Sequence, residues 1–253
     1  MDDRIDGAAG IRAAGDVGGA QAGLLSERDG WRVVCVDPRD DARREADRGP
    51  GPAAPDGELE FDDAVQLLRE RRRAMGASQA DALWFADPLH AWMTRLDAGG
   101  TLDRGSVVML AAGMRETLAM RDALVVSVID AEADEGTLVS MASRPHERDN
   151  VRRLGRMVEG TFSDTSYRPD SGRCGRGVAM LEGIVGEAPE RFHAQPLAAL
   201  AYLTWWSCAG GAAGYALRAL ALHPRCTLAA IVLAAEEHGI TPAWAGGRRP
   251  RAT

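Results

Sequence analysis

At 253 residues the chain is long enough for one or two domains, and 45% hydrophobic residues can fill a sizeable core. Only 5% are aromatic, so Ala, Leu and Val must do most of the packing, which suits closely spaced helices. The net charge of −7 argues against non-specific attraction to nucleic acid or an anionic membrane, and all 30 cationic residues are arginines.

Residues 1–57 are poor in large apolar side chains and read as a flexible region that ends in the linker Arg48–Gly57. One strand candidate lies inside it, WRVVCVD at 31–37. Gly15, Gly18, Gly19 and Gly23 precede that strand, but a dinucleotide fingerprint needs a hydrophobic strand before its glycines, and MDDRIDGAAG supplies none. From residue 58 to 246 the pattern is that of a helical domain, followed by a disordered tail at 247–253. Phe61, Val65, Leu68 and Met75 repeat at helical spacing, and the helix ends in Arg69, Arg71, Arg72 and Arg73. These arginines read as a solvated face that suits a helix C-terminus. Ser78 caps a short helix through Phe85, and Asp87-Pro88 starts the next, with Leu89, Trp92, Met93 and Leu96 on one face.

After Gly99-Gly100, Asp103 or Ser106 caps a helix with the stripe Val107, Leu110, Ala111, Met114, Leu118 and Val125. If that helix is continuous, Arg121 falls on its apolar stripe. A buried arginine needs a carboxylate or several carbonyls. Asp122 is adjacent in sequence but does not face it on a helix, so the partner is expected from another segment. Arg121 is thus the tentative ligand or ion-pair site. Leu124–Ile129 fits either a strand or the last turns of the helix, and Asp130–Glu135 reads as a solvated acidic loop. Pro145 opens a helix through Val158. Residues 160–177 read as a mobile loop, and Val178, Leu181 and Val185 mark a helix closed before Pro189.

The densest apolar run follows. Pro196 suits the first turn of a helix that is apolar on nearly every face through Ala209. Gly210-Gly211 separates it from a second helix, Ala212–His223, which Pro224 stops. Thr227 starts a third, closed at Gly239 before Pro242. Leu197–Leu217 is uncharged and long enough to span a bilayer, but its Gly-Gly centre favours a buried helical hairpin. Ala212, Ala219 and Pro224 have the spacing of one tetratricopeptide-like helical hairpin, without a second copy. The fold expected is therefore mainly α, a helical bundle with a tetratricopeptide-like C-terminal hairpin and a short irregular or single-strand N-terminal region.

Several of these segments carry a resemblance: AYLTWW (Ala201–Trp206), ALRALALHP (Ala216–Pro224), TLAAIVLAAEEHGI (Thr227–Ile240), PAW (Pro242–Trp244) and, upstream, LAAGMRETLAMRDAL (Leu110–Leu124). In them the chain resembles the C-terminal half of an actinobacterial family, domain of unknown function 4192 (DUF4192). The family-like positions are Arg121, Asp122, Trp205, Trp206 and Pro224. The family's Gly-acid-Gly after the tryptophan helix is here Cys208-Ala209-Gly210-Gly211, and its strand-rich N-terminal half is not evident, so the chain resembles a shortened member. The resemblance implies no activity.

The motifs offer no catalytic, cofactor or metal site. Cys35, Cys174, Cys208 and Cys226 form no CxxC, and Cys208 and Cys226 read as small hydrophobes in helical settings. His90, His146, His193, His223 and His238 are scattered, and GxSxG, HExxH and GxxxxGK[ST] are absent. The N-terminus has no signal-peptide pattern, which makes the cytoplasm the expected location. The functional expectation is a non-enzymatic protein- or ligand-interaction module, anchored at Trp205 or Trp206 if either borders an exposed groove. The alternative is a small-molecule enzyme or sensor with a pocket near Arg121. A DNA-binding regulator comes third and would depend on Leu67–Arg73. A protein partner is possible, and neither a nucleic-acid nor a membrane partner is expected.

Overall fold

The computed structural model describes two short strands and residues 56–246. β1 (Ala22–Leu25) and β2 (Arg32–Cys35) pair antiparallel, with Ala22 opposite Cys35 and Leu25 opposite Arg32. β2 falls inside the strand expected at 31–37, while β1 lies where none is expected. The two strands belong to a unit of their own. The rest of the N-terminal region and the tail at 247–253 lie outside the described residues.

The second unit is an all-α bundle, as the residue patterning implies. Its helices are α1 (Asp56–Met75), α2 (Ala77–Ala98), α3 (Arg104–Glu116), α4 (Leu118–Ile129), α5 (Glu135–Ser143), α6 (Arg148–Ser163), α7 (Ser171–Glu187), α8 (Ala194–Trp206), α9 (Ala212–Leu222) and α10 (Thr227–Glu237). Short 3-10 turns occupy Glu190–Phe192 and Ala243–Ala245. α8 sits at the centre. It is buried from Gln195 through Trp206 without interruption and packs against α3, α4, α7, α9 and α10. Such a helix has no face to give to water, so its neighbours must surround it. Among the described residues, no helix is long and apolar enough to cross a membrane.

Local chemistry fixes several helix starts. Asp103 accepts from Ser106 N at 2.9 Å, Asp134 from Thr137 N at 2.7 Å and Asp170 from Arg173 N at 2.9 Å, opening α3, α5 and α7. Each side chain satisfies an amide that has no partner within its helix. At the other end of the bundle, Gly239 takes φ +63° after α10, the left-handed position where a glycine is expected.

The structure corrects the sequence reading at several places and decides between its two alternatives at Leu124–Ile129. Asp87-Pro88 starts no helix: α2 runs through it, with Pro88 inside. The ring forfeits one backbone hydrogen bond, but a continuous α2 buries Trp84, Phe85, Leu89 and Trp92 together. Leu124–Ile129 is helical. Part of the expected loop at 160–177 is helix, because α6 continues to Ser163 and the Asp170 cap starts α7 at Ser171. The acidic run at 130–135 is not all loop either: Asp134 caps α5, a helix the hydrophobic spacing does not reveal. Cys208 lies outside any helix, exposed at φ +52°, whereas Cys226 is buried as expected.

Two glycines mark close helix contacts. A Cβ on Gly177 of α7 would meet Val128 Cγ2 at 2.6 Å, and one on Gly113 of α3 would meet Met120 Sδ at 2.5 Å. Overpacking costs roughly 1–3 kcal/mol, against about 1 kcal/mol returned by alanine's helix propensity. Gly177→Ala is therefore expected to lower the urea midpoint, because the branched valine is stiff. Gly113→Ala is expected to be near neutral, because methionine can swing aside. Asp103→Ala should cost on the order of 1 kcal/mol in the same assay. The helix-start hydrogen bonds hold Asp103, Asp134 and Asp170 below the usual carboxylate range. Their stabilisation is present above the ordinary Asp value near 3.9 and is lost as pH falls through the lowered folded-state values. Asp103→Asn keeps an acceptor and should flatten the acid limb of a stability-versus-pH curve.

Candidate functional site

The expected continuity between α3 and α4 fails at Thr117, whose backbone is extended at φ −147° and ψ 123°. β-Branching suits that conformation. Glu116, just before it, is drawn toward α1: Arg69 donates to both of its carboxylate oxygens at 2.8 Å, and Arg72 lies 4.0 Å from one of them. These arginines offset an acid at a helix C-terminus, where the dipole disfavours it. The break rotates α4 relative to the expected stripe, leaving Leu118 48% exposed while Arg121 is buried.

Arg121 does have a carboxylate partner, and it is Asp122. Arg121 Nε and Nη2 donate to Asp122 Oδ1 at 2.9 and 2.6 Å. This corrects the expectation that sequence neighbours on a helix do not meet. Near the start of α4 the long, buried arginine side chain reaches a carboxylate whose own side chain is 27% exposed. The expected partner from another segment is also present: Arg121 Nη1 donates to Gln195 Oε1 on α8 at 2.6 Å. Cys226 Sγ approaches the same oxygen at 3.9 Å.

This buried network borders a cleft of about 680 Å³. Arg69 comes from α1, Arg115 and Glu116 from the end of α3, and Leu118 and Arg121 from the start of α4. Arg191 and Phe192 come from the 3-10 turn, and Ala194 and Gln195 from the start of α8. Leu222, His223, Arg225, Cys226 and Thr227 join the end of α9 to the start of α10. Five arginines thus line the cleft against one acid, Glu116. Two of them pack on Phe192, with guanidinium carbons 4.9 Å (Arg115) and 5.4 Å (Arg191) from its ring centre. Arg115 Nη1 also donates to Arg191 O at 2.6 Å, and Arg191 pairs with Asp62 at 2.7 Å. The cation-π contacts and backbone bond hold these charges in place without neutralising them all. A second groove of similar size, about 700 Å³, lies between the start of α2 and α5, but its only charged lining residues are Glu135 and Arg144.

The other family-like positions do not meet Arg121 at the cleft. Trp205 and Trp206 lie at the far end of α8, 3% and 0% exposed. Trp205 Nε1 donates to Ile240 O, and Trp206 O accepts from Trp244 Nε1, both at 2.9 Å. A hollow of about 280 Å³ adjoins Trp205, but the tryptophan rings serve the internal packing. Pro224 stands in the exposed turn between α9 and α10. In the basic run Leu67–Arg73, Arg69 pairs with Glu116, Arg72 pairs with Asp81 at 2.6 Å, and Arg71 lies over Trp84.

Sequence reasoning missed Gln195, Arg115, Arg191 and Arg225 as cleft residues. Pro196 held a partial signal, since a helix opening there puts Gln195 at its N-terminal boundary. Nothing in the linear spacing joins the arginines. Thiol chemistry is disfavoured at two cysteines: burial pushes Cys174 up to about 11 and, together with Glu236, raises Cys208. Among the described residues, no three His, Cys, Asp or Glu side chains cluster as a metal site.

Arg121→Met removes the donors while retaining apolar volume. It is expected to cost about 1–3 kcal/mol in chemical denaturation, because Gln195 Oε1 loses its charged partner while Asp122 can rehydrate. Asp122→Asn keeps an acceptor for the guanidinium and should cost less. No family model, curated protein or solved structure matches the chain, which leaves the chemistry of the cleft as the ground for a functional reading.

Proposed function

We propose that the protein is a binding module, of sensor or carrier type, for a small anionic ligand held in the Arg121 cleft. The observation that carries this reading is the charge of the lining: five arginines against one glutamate, in a chain whose net charge is −7. A cationic concavity in an acidic protein focuses the local potential and draws small anions despite the overall charge. Its volume is in the range of pockets that enclose small molecules. The reading assigns no reaction.

A protein-interaction role has a separate support. Leu217, Leu222 and Ile231 on the C-terminal hairpin are 41%, 38% and 52% exposed. It ranks second because the two tryptophans that would anchor such an interface are buried inside the bundle. Kinship with DUF4192 is a subordinate proposal. It rests on the sequence motifs, as does the actinobacterial origin, and it contributes no activity.

Thermal denaturation of the full chain with succinate, citrate and phenyl phosphate, against neutral succinamide, tests the main reading. A ligand at 100 times its Kd stabilises a protein by about 2.7 kcal/mol, so the anions should raise Tm and succinamide should not. Arg115→Glu combined with Arg225→Glu should abolish the rise. Equal shifts with succinamide, or no shift with any anion, would overturn the proposal.

A further inference from the structure

Arg121 is not the group that meets the ligand. Its Nε and Nη2 are both committed to Asp122, so the planar fork that would clasp a carboxylate is occupied. Its effect falls on Gln195. A guanidinium only donates, so the amide oxygen of Gln195 is fixed on the Arg121 side. The amide nitrogen Nε2 is then left without an acceptor among the described residues, in a side chain that lines the cleft and belongs to a residue only 7% exposed. That donor reaches the open cleft, where an anion would accept from it.

Three helices begin on this same cleft: α4 at Leu118, α8 at Ala194 and α10 at Thr227. Their N-cap residues, Thr117, His193 and Cys226, make no side-chain cap hydrogen bond. The aspartate-capped helices α3, α5 and α7 begin elsewhere. Uncapped first turns present amide donors and the positive end of the helix dipole. Exposed Arg225 stands two residues before α10, with no hydrogen-bond or ion-pair partner among the described residues. Gln195 Nε2, Arg225 and the first turns of α8 and α10 thus bring donors to the cleft from several directions, while the C-terminal ends of α3 and α9 also border it.

We propose that the ligand is a phosphate monoester. Its phosphoryl head is held by Gln195 Nε2, Arg225 and the first turns of α8 and α10, and its apolar body lies against Leu118 and Leu222. This rests on the anion-binding reading above and narrows it. A tetrahedral dianion matches donors converging from separate elements and more than one positive centre. Leu118 and Leu222 are 48% and 38% exposed, large apolar side chains beside the arginines of the lining. Inorganic phosphate would leave most of the roughly 680 Å³ unfilled, which favours an ester. Arg121 is a positioning residue in this arrangement.

Calorimetric titration of the full chain with phenyl phosphate, inorganic phosphate, benzoate and succinate tests the assignment. Phenyl phosphate should bind at least about tenfold more tightly than benzoate or succinate, and more tightly than inorganic phosphate. Gln195→Glu keeps an acceptor for Arg121 but replaces the amide donor with a negative charge. Its unliganded Tm should not fall, while its affinity for phenyl phosphate drops at least about tenfold. Arg225→Ser, at an exposed turn, should lose a similar factor with an unchanged unliganded Tm. Equal binding of benzoate and phenyl phosphate would overturn the phosphoryl assignment and leave the anion cleft standing. Undiminished binding in both variants would overturn the placement of the head group. Failure of all four probes to bind the folded wild type would overturn both readings.

Discussion

The bundle is built around the need to enclose α8. From Gln195 to Trp206 every residue is buried, so no orientation of this helix against a single partner would suffice. Five other helices supply the enclosure, and their sequences fit that task. α9 turns Ala212, Ala216 and Ala219 inward, and α10 adds Ala229, Val232 and Ala235. Small side chains let these backbones come close without voids, which a core short of aromatics requires. One aromatic cluster lies at the C-terminal end of α8. There Trp206 packs with Tyr167 and Trp244 at ring separations of 5.4 and 6.4 Å, while Trp205 packs with Phe162 at 4.8 Å.

The cleft lies where this enclosure ends. At the start of α8 the apolar surround gives way to Ala194 and Gln195, and the helix has backbone amides to satisfy but no side-chain cap. Arg121 from α4 and the start of α10 adjoin it there, and Arg121 bonds the side chain of Gln195. The site is therefore a product of the core's geometry rather than of a local motif. The same first turn that closes the hydrophobic interior borders the cleft.

That origin explains how much could be read from the sequence. α8, α9 and α10 were legible because Pro196, Gly210-Gly211, Pro224, Thr227 and Gly239 punctuate an apolar run. Burial of Arg121 and its contact with another segment were also legible, from an arginine within an apolar stripe. The Thr117 break was not, since no glycine or proline marks it. Its cause is a tertiary pairing of Glu116 with Arg69 on α1. Pro88 misled for a related reason: its local preference to start a helix is outweighed by four large side chains that pack together only if α2 is continuous. The starts of α5 and α7 were present as Asp134 and Asp170, each bonding an amide three residues on. Helical spacing of apolar residues alone does not detect such caps. The cleft arginines come from α1, α3, α4, the 3-10 turn and the turn before α10, so only the folded chain brings them together.

The absence of lysine gives the cleft a particular electrical character. A guanidinium holds its proton across the whole range in which proteins remain folded, unlike an amine that burial can discharge. Arg69, Arg115, Arg121, Arg191 and Arg225 therefore form a permanent charge, without the means to be neutralised by a local rise in pH or by acylation of an amine. An anion held there, as proposed, would meet a charge that pH does not switch off, and its retention would fall as ionic strength rises.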